Sequence, residues 1–178
     1  MGGMGTPYRV MTVCTGNICR SPMALIVLRD RFDAAGLGAA VVVDSTGTSA
    51  EEHGRPIDER AAAVLTEHGY AVADHAARQV RADDLARADL VLAMTAEHAH
   101  VLRRLARRDA DAAARVVLLR SFDPGAPAST RGRDEHLLDL DDPWYGGSDE
   151  FEDCLAQIEA AADGVVDRVR AELAARTL

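Results

Sequence analysis

Two of the chain's three cysteines, Cys14 and Cys19, lie five positions apart in the segment Cys14-Thr15-Gly16-Asn17-Ile18-Cys19-Arg20-Ser21. These residue types suit one chemistry, a sulfur nucleophile attacking an anion held beside it. A loop that converges successive backbone N–H groups makes an anion nest, and a following helix N-terminus adds its dipole. Gly16 permits the backbone geometry such a wrap needs. Arg20 can grip two oxygens of a phosphate in a planar fork. A cysteine in that electropositive bowl is favoured as the thiolate, and the Ser21 hydroxyl can donate to it. The expected reaction is attack of the Cys14 sulfur on phosphorus. A metal site is not expected: Cys14 and Cys19 lack a second pair, and His98 and His100 are two apart and share no helix face.

Thiolate attack on a phosphate ester needs a proton for the departing oxygen, so a carboxylic acid must reach the loop. Asp123-Pro124 and Asp142-Pro143 compete for that role, with Asp141 a third candidate. The chain has one Trp, three Tyr and three Phe, and Trp144 and Tyr145 directly follow Asp142-Pro143. An aromatic wall beside the acid is what a phenyl phosphate would stack against, which favours Asp142. The competing reading of Trp144 is simple core packing.

The elements that must position these residues follow from periodicity and turn chemistry. Tyr8 to Val13 reads as a β-strand ending at Cys14. Ser21-Pro22 then reads as an N-cap with proline at the first helical position, starting a helix that runs to Ala35 before Gly36. Ala40 to Asp44 is a second strand, and Asp58 to His68 a helix stopped by Gly69. A short helical turn at Asp84 to Ala86 precedes a strand at Asp89 to Ala93. Thr95 caps a helix reaching Arg107, and Val116 to Leu119 is the fourth strand. Ser121 to Ser148 is turn-rich loop. Asp149 to Ala174 is an amphipathic helix burying Phe151, Leu155, Ile158, Val165, Val166 and Val169. Strands alternating with helices predict a single α/β domain over residues 1–178, a four-stranded parallel sheet flanked by helices on both faces. Ligands in such folds sit beyond the carboxyl ends of the strands, where Cys14 lies.

Composition narrows the setting. The 178 residues carry 20 basic against 29 acidic side chains, net −9, so a phosphate polymer would be repelled and nucleic acid is not an expected partner. A 48% hydrophobic content supports a buried core. No stretch approaches the ~18 apolar residues of a membrane span. An odd, sparse set of three cysteines suits a reducing cytoplasm rather than a disulfide framework. Met1 to Thr6 formally fits a myristoylation pattern but reads as part of a flexible start over residues 1–7, with Met4 an alternative initiator.

The string Val13-Cys14-Thr15-Gly16-Asn17-Ile18-Cys19-Arg20-Ser21-Pro22-Met23-Ala24 resembles the phosphate loop of the low-molecular-weight protein tyrosine phosphatases. Matches continue at Asp44-Ser45 with Gly47-Thr48, at His75 with Arg78-Gln79, and at Asp142-Pro143-Trp144-Tyr145-Gly146. The resemblance implies a flavodoxin-like sheet and phosphotyrosine hydrolysis through phosphocysteine. Cys14 is then the nucleophile, and Arg20 binds the phosphate and its transition state. Asp142 is the acid that later activates water, which predicts an acidic-to-neutral pH optimum. Thr15, Gly16, Asn17, Ile18, Cys19 and Ser21 are expected around the substrate, with Trp144 and Tyr145 on the wall. Asn17, Ser45 and His75 match a hydrogen-bond network that shapes the loop, and Cys19 matches a neighbouring thiol that can shield the nucleophile as a disulfide. No metal or organic cofactor is implied. The expected partner is a phosphotyrosine protein, with a tyrosine kinase behind it, and the expected state is a monomer.

The sequence also departs from that pattern. Glu51 falls where many members carry an aromatic on the pocket rim, Leu25 replaces an often acidic residue, and Gly125 to Leu140 is longer than usual. The nearest rival is protein arginine phosphatase, whose members carry Thr at the position of Ile18. The apolar Ile18 favours phosphotyrosine. A rival of another class is a non-catalytic phosphate-binding or redox-sensing module.

Overall fold

Strand β1, Tyr8–Cys14, is the centre on which the other elements assemble. In the computed structural model, which describes residues 5–129 and 131–177, its side chains alternate between two apolar layers. Tyr8 and Val10 enter one layer, Met11 and Val13 the other, as the strand period of two requires. β2 (Val41–Gly47), β3 (Leu90–Ala93) and β4 (Val116–Leu118) complete an all-parallel sheet in the order β2-β1-β3-β4. This is the expected sheet. Its order reverses beside β1, so the carboxyl end of β1 lies at the switch point where such folds bind ligands.

Helices α1 (Arg20–Ala34), α2 (Glu59–Glu67) and α6 (Ser148–Arg176) contribute to one layer. Helices α3 (Ala82–Arg87), α4 (Ala96–Leu105) and α5 (Ala110–Ala114) contribute to the other. All six apolar positions expected on the last helix are buried, and Cys154 packs among them at 3% exposure. Asp58 caps α2 and Thr95 caps α4 through their side chains, as their residue types favour.

Four local readings change. Helix α1 begins at Arg20 with Cys19 at its N-cap, because the hydroxyl of Ser21 is engaged elsewhere and caps nothing. β2 continues past Asp44 to Gly47, since Thr12 to Cys14 offer it backbone partners across the sheet. Asp109 caps the unforeseen helix α5. The turn-rich stretch contains short 3-10 turns at Glu135–Leu138 and Pro143–Tyr145, and another spans Leu119–Phe122. Residues 1–4 of the expected flexible start lie outside the described residues. Among the described residues, no helix is long and apolar enough to cross a membrane.

Candidate active site

Cys14 ends β1, and the chain turns through Thr15 to Cys19 before α1 starts at Arg20. The turn is held from below. Asn17 is fully buried with φ 60, a left-handed conformation that Asn tolerates better than most residues. The residue supplying the loop's unusual backbone is therefore Asn17, not Gly16. Its amide donates to Ser21 Oγ at 3.0 Å and Ser45 Oγ at 2.9 Å, and its Oδ1 accepts the Arg78 N–H at 3.0 Å. His75 Nε2 lies 2.6 Å from the Asn17 carbonyl. Gly47 lets β2 come close: a Cβ there would stand 2.4 Å from the Thr15 carbonyl oxygen.

Ser21 Oγ lies 3.0 Å from Cys14 Sγ and 3.2 Å from the Thr46 carbonyl. With Asn17 donating to the same oxygen, the single hydroxyl proton of Ser21 has two acceptors to choose between. Asn17 and Ser21 were expected to contact substrate, but their side chains are buried and engaged beneath the loop, outside the cleft lining. They shape the cradle rather than line it.

Above the loop is a cleft of about 130 Å³ lined by Cys14, Thr15, Gly16, Ile18, Cys19 and Arg20. Ser49, Glu51, Glu52, Asp142 and Trp144 close its other sides. Arg20 is 5% exposed and bridges the two halves. Its Nη1 donates to the Leu140 carbonyl at 2.9 Å, and its Nη2 pairs with Asp142 Oδ2 at 3.2 Å. Asp142 also accepts the Trp144 N–H through Oδ1 at 3.1 Å. Among the described residues no side chain caps the α1 N-terminus, where the Arg20 and Ser21 amides of the first turn suit an anion. Tyr145 does not share the wall with Trp144. It is 91% exposed and outside the cleft lining, because the 3-10 turn at Pro143–Tyr145 points consecutive side chains apart.

Cys19 and Cys154 are held toward the neutral thiol. Burial, then the nearby Asp58 carboxylate, pushes the Cys19 thiol well above its ordinary range. Burial pushes Cys154 up to about 12. Among the described residues no cluster of His, Cys, Asp and Glu is arranged to hold a metal.

Residues 9–175 match the family described as low molecular weight phosphotyrosine protein phosphatase. The chain belongs to that family. It is 50% identical over 169 residues to a low molecular weight protein-tyrosine-phosphatase of Streptomyces coelicolor, covering 95% of this chain and 98% of the relative. It is 46% identical over 171 residues to low molecular weight protein-tyrosine phosphatase A of Mycobacterium tuberculosis, covering 96% and 97% of the two chains. A protein tyrosine phosphatase crystal structure from Entamoeba histolytica superposes with a TM-score of 0.82 at 25% identity, over 93% and 98% of the chains. YfkJ from Bacillus subtilis gives 0.81 at 30% identity, over 96% and 99%.

Within this phosphatase scaffold three residues at the site were not foreseen: His98, Glu52 and Ser49, the last on the cleft lining. His98, considered only as a metal ligand, is 5% exposed and its Nε2 lies 2.8 Å from Thr15 Oγ1 in the loop. Burial, then the charge of Arg20, pushes its pKa down to about 3, so the imidazole is neutral. Its Nδ1 is buried and has no hydrogen-bond partner among the described residues. Glu52 lines the cleft beside Glu51 and pairs with Arg55 at 2.9 Å. The cue for Glu52 was its acidic neighbour. No local cue pointed to His98, which contacts a loop 83 residues earlier.

Proposed function

We propose that this phosphatase hydrolyses phosphotyrosine in proteins through a phosphocysteine intermediate, with Cys14, Arg20 and Asp142 as its catalytic residues. The supporting observation is that all three line one cleft, with Arg20 touching Asp142. The Cys14 thiolate attacks phosphorus and the bond from phosphorus to the phenolic oxygen breaks. Asp142 gives its proton to that oxygen, so tyrosine leaves neutral. Water then attacks the phosphocysteine, Asp142 takes its proton, the S–P bond breaks and the thiolate returns. Arg20 and the loop amides carry the charge on the non-reacting oxygens through both steps. Ser21 turns its hydroxyl proton from the Thr46 carbonyl to sulfur whenever sulfur is anionic.

Ile18 is apolar and 7% exposed in the cleft lining, which suits a phenyl ring and offers nothing to a guanidinium. Trp144 supplies the aromatic wall. Glu51 and Glu52 make the rim acidic, so peptides with acidic residues beside phosphotyrosine bind less well. We place the activity in the reducing cytoplasm, carried out by a monomer that opposes a tyrosine kinase, where three unpaired cysteines persist.

The test compares an aryl phosphate with phosphotyrosine, phosphoserine and phosphoarginine peptides, without added metal. Phosphotyrosine turnover should vanish in Cys14→Ser and fall by roughly 10²- to 10⁴-fold in Asp142→Asn. Turnover of phosphoarginine alone overturns the reading of Ile18. Phosphate binding with no turnover of any substrate leaves a binding module.

A further inference from the structure

Asp142 is fixed from both sides, by different devices. On the amino-terminal side, Leu140 donates its N–H to the Met94 carbonyl at 2.9 Å, and its own carbonyl accepts from Arg20 at 2.9 Å. On the carboxyl-terminal side, residues 143–147 are exposed apart from Pro143 and Gly146. Most of their hydrogen bonds are local: Trp144 N–H to Asp142, Gly146 N–H to the Pro143 carbonyl, Gly147 N–H to Glu150. Among the described residues, the hydrogen bonds tying this stretch to another part of the fold come from one side chain, Arg60 of α2. Its Nη1 donates to the Trp144 carbonyl at 3.0 Å and the Gly146 carbonyl at 3.2 Å. The same guanidinium lies 5.2 Å from the Trp144 ring centroid and 4.7 Å from that of Phe151 in α6.

Arg60 is itself fixed. Its Nε and Nη2 each donate to Asp58, both at 3.1 Å, a bidentate pair. Asp58 reaches the phosphate loop, donating its N–H to the Ile18 carbonyl at 2.8 Å. A continuous line of contacts therefore runs from the loop under the phosphate, through Asp58 and Arg60, to the backbone that follows the acid. Arginine suits this place because its planar fork can meet a carboxylate, two carbonyls and two ring faces at once. A lysine ammonium has three donors and no plane.

We propose that Arg60 is a positioning residue for Asp142, clasping residues 144–146 so that the carboxyl stays over the cleft in register with Cys14. This rests on Asp142 serving as the acid. Arg60 lies outside the cleft lining, so its removal should spare phosphate binding and weaken proton donation. The need for an acid grows with the basicity of the leaving phenolate. Loss of Arg60 should therefore be felt most with poor leaving groups.

The experiment measures kcat/KM, which reports the step that forms phosphocysteine, for aryl phosphates from nitrophenyl to alkylphenyl. Wild type is compared with Arg60→Met, Arg60→Lys, Asp142→Asn and the double variant Arg60→Met/Asp142→Asn. Arg60→Met should lose about 10-fold or more on alkylphenyl phosphates and less than about 3-fold on nitrophenyl phosphate. Arg60→Lys should show the same pattern, and competitive inhibition by inorganic phosphate should move by less than about 2-fold. In the Asp142→Asn background the Arg60 change should cost little, since the group it positions is gone. Asp58→Asn, which loosens the clasp from its other end, should repeat the pattern more weakly even where Arg60→Met folds poorly. An equal loss across all leaving groups, or a full further loss in the double variant, overturns the proposal alone. Asp142→Asn without leaving-group dependence overturns the acid assignment and the proposal with it.

Discussion

The two halves of the cleft are built in opposite ways. The loop from Cys14 to Arg20 is largely buried and tied from beneath by Asn17, Ser21, Ser45, His75 and His98. The stretch from Asp139 to Gly147 is more exposed, although Leu140 and Pro143 are buried. It is anchored at its start by the Leu140 N–H to Met94 carbonyl and Ala96 N–H to Asp139 bonds, and its carbonyls are held by the side chains of Arg20, Arg60 and Arg120. The proposed nucleophile, which would work beneath a bound phosphate, is served by a closed network that cannot relax. The proposed acid, which would meet water in the second step, has to remain accessible, and the backbone that follows it depends on the Arg60 tether. Damage to the first half should therefore cost stability and activity together. Damage to the second should cost activity while leaving the fold nearly as stable.

The strongest attempt to break this contrast is Asn17→Ala. It strips three hydrogen bonds, leaves buried polar partners unpaired and puts a Cβ-bearing residue without a polar side chain at φ 60. Unfolding free energy should fall by about 2–4 kcal/mol, with a loss of kcat/KM. Asn17→Gly should recover about 1 kcal/mol of the stability, because glycine accepts the left-handed backbone, but not the activity. Urea unfolding and aryl phosphate kinetics on the same samples check it. Turnover lost with stability intact would break the contrast.

His98 sharpens it through pH. Its folded pKa of about 3 lies below the ordinary value of 6.5, so the folded state disfavours the protonated form. Stability from this group is complete above pH 6.5 and is lost as pH falls from there toward 3. By pH 5 the loss should be roughly 2 kcal/mol. Unfolding of wild type and His98→Asn at pH 7.5 and pH 5 measures it, and the variant should lose correspondingly less on acidification. Equal losses in both would remove His98 as the buried neutral support of Thr15.

The smallest effect is expected on the other side of the cleft. Trp144 is 38% exposed and faces Arg60, so Trp144→Ala should change unfolding free energy by no more than about 1 kcal/mol. Losing the aromatic wall should still raise KM for phosphotyrosine peptides by about 3- to 10-fold. A large loss of stability would mean that the acid segment is part of the folded core after all.

Much of this was legible in the order of residues, for a physical reason. A nucleophile, a turn, an arginine and a helix start within eight positions act through local backbone geometry, which short segments specify themselves. The same holds for Asp142 beside Trp144, for the cap at Thr95 and for the buried stripe of α6. Two local preferences were overridden, one by partners across the fold and one by the geometry of a short 3-10 turn. Ser21 looks like a cap and instead meets sulfur, Asn17 and the end of β2. Tyr145 looks like its neighbour and faces solvent.

The sequence by itself determined the sheet, the switch point at the end of β1 and the residues that we propose as nucleophile, anion grip and acid. Only the tertiary structure decided which side chains hold them. Asn17 adopts the left-handed turn because Ser45 and Arg78 are there to bind its amide. His98 supports Thr15 from another crossover, and Arg60 closes on Trp144 and Gly146 from α2. Hydrogen bonds across tens of residues leave no periodicity or spacing in the chain. They exist only once the sheet and helices have set the distances.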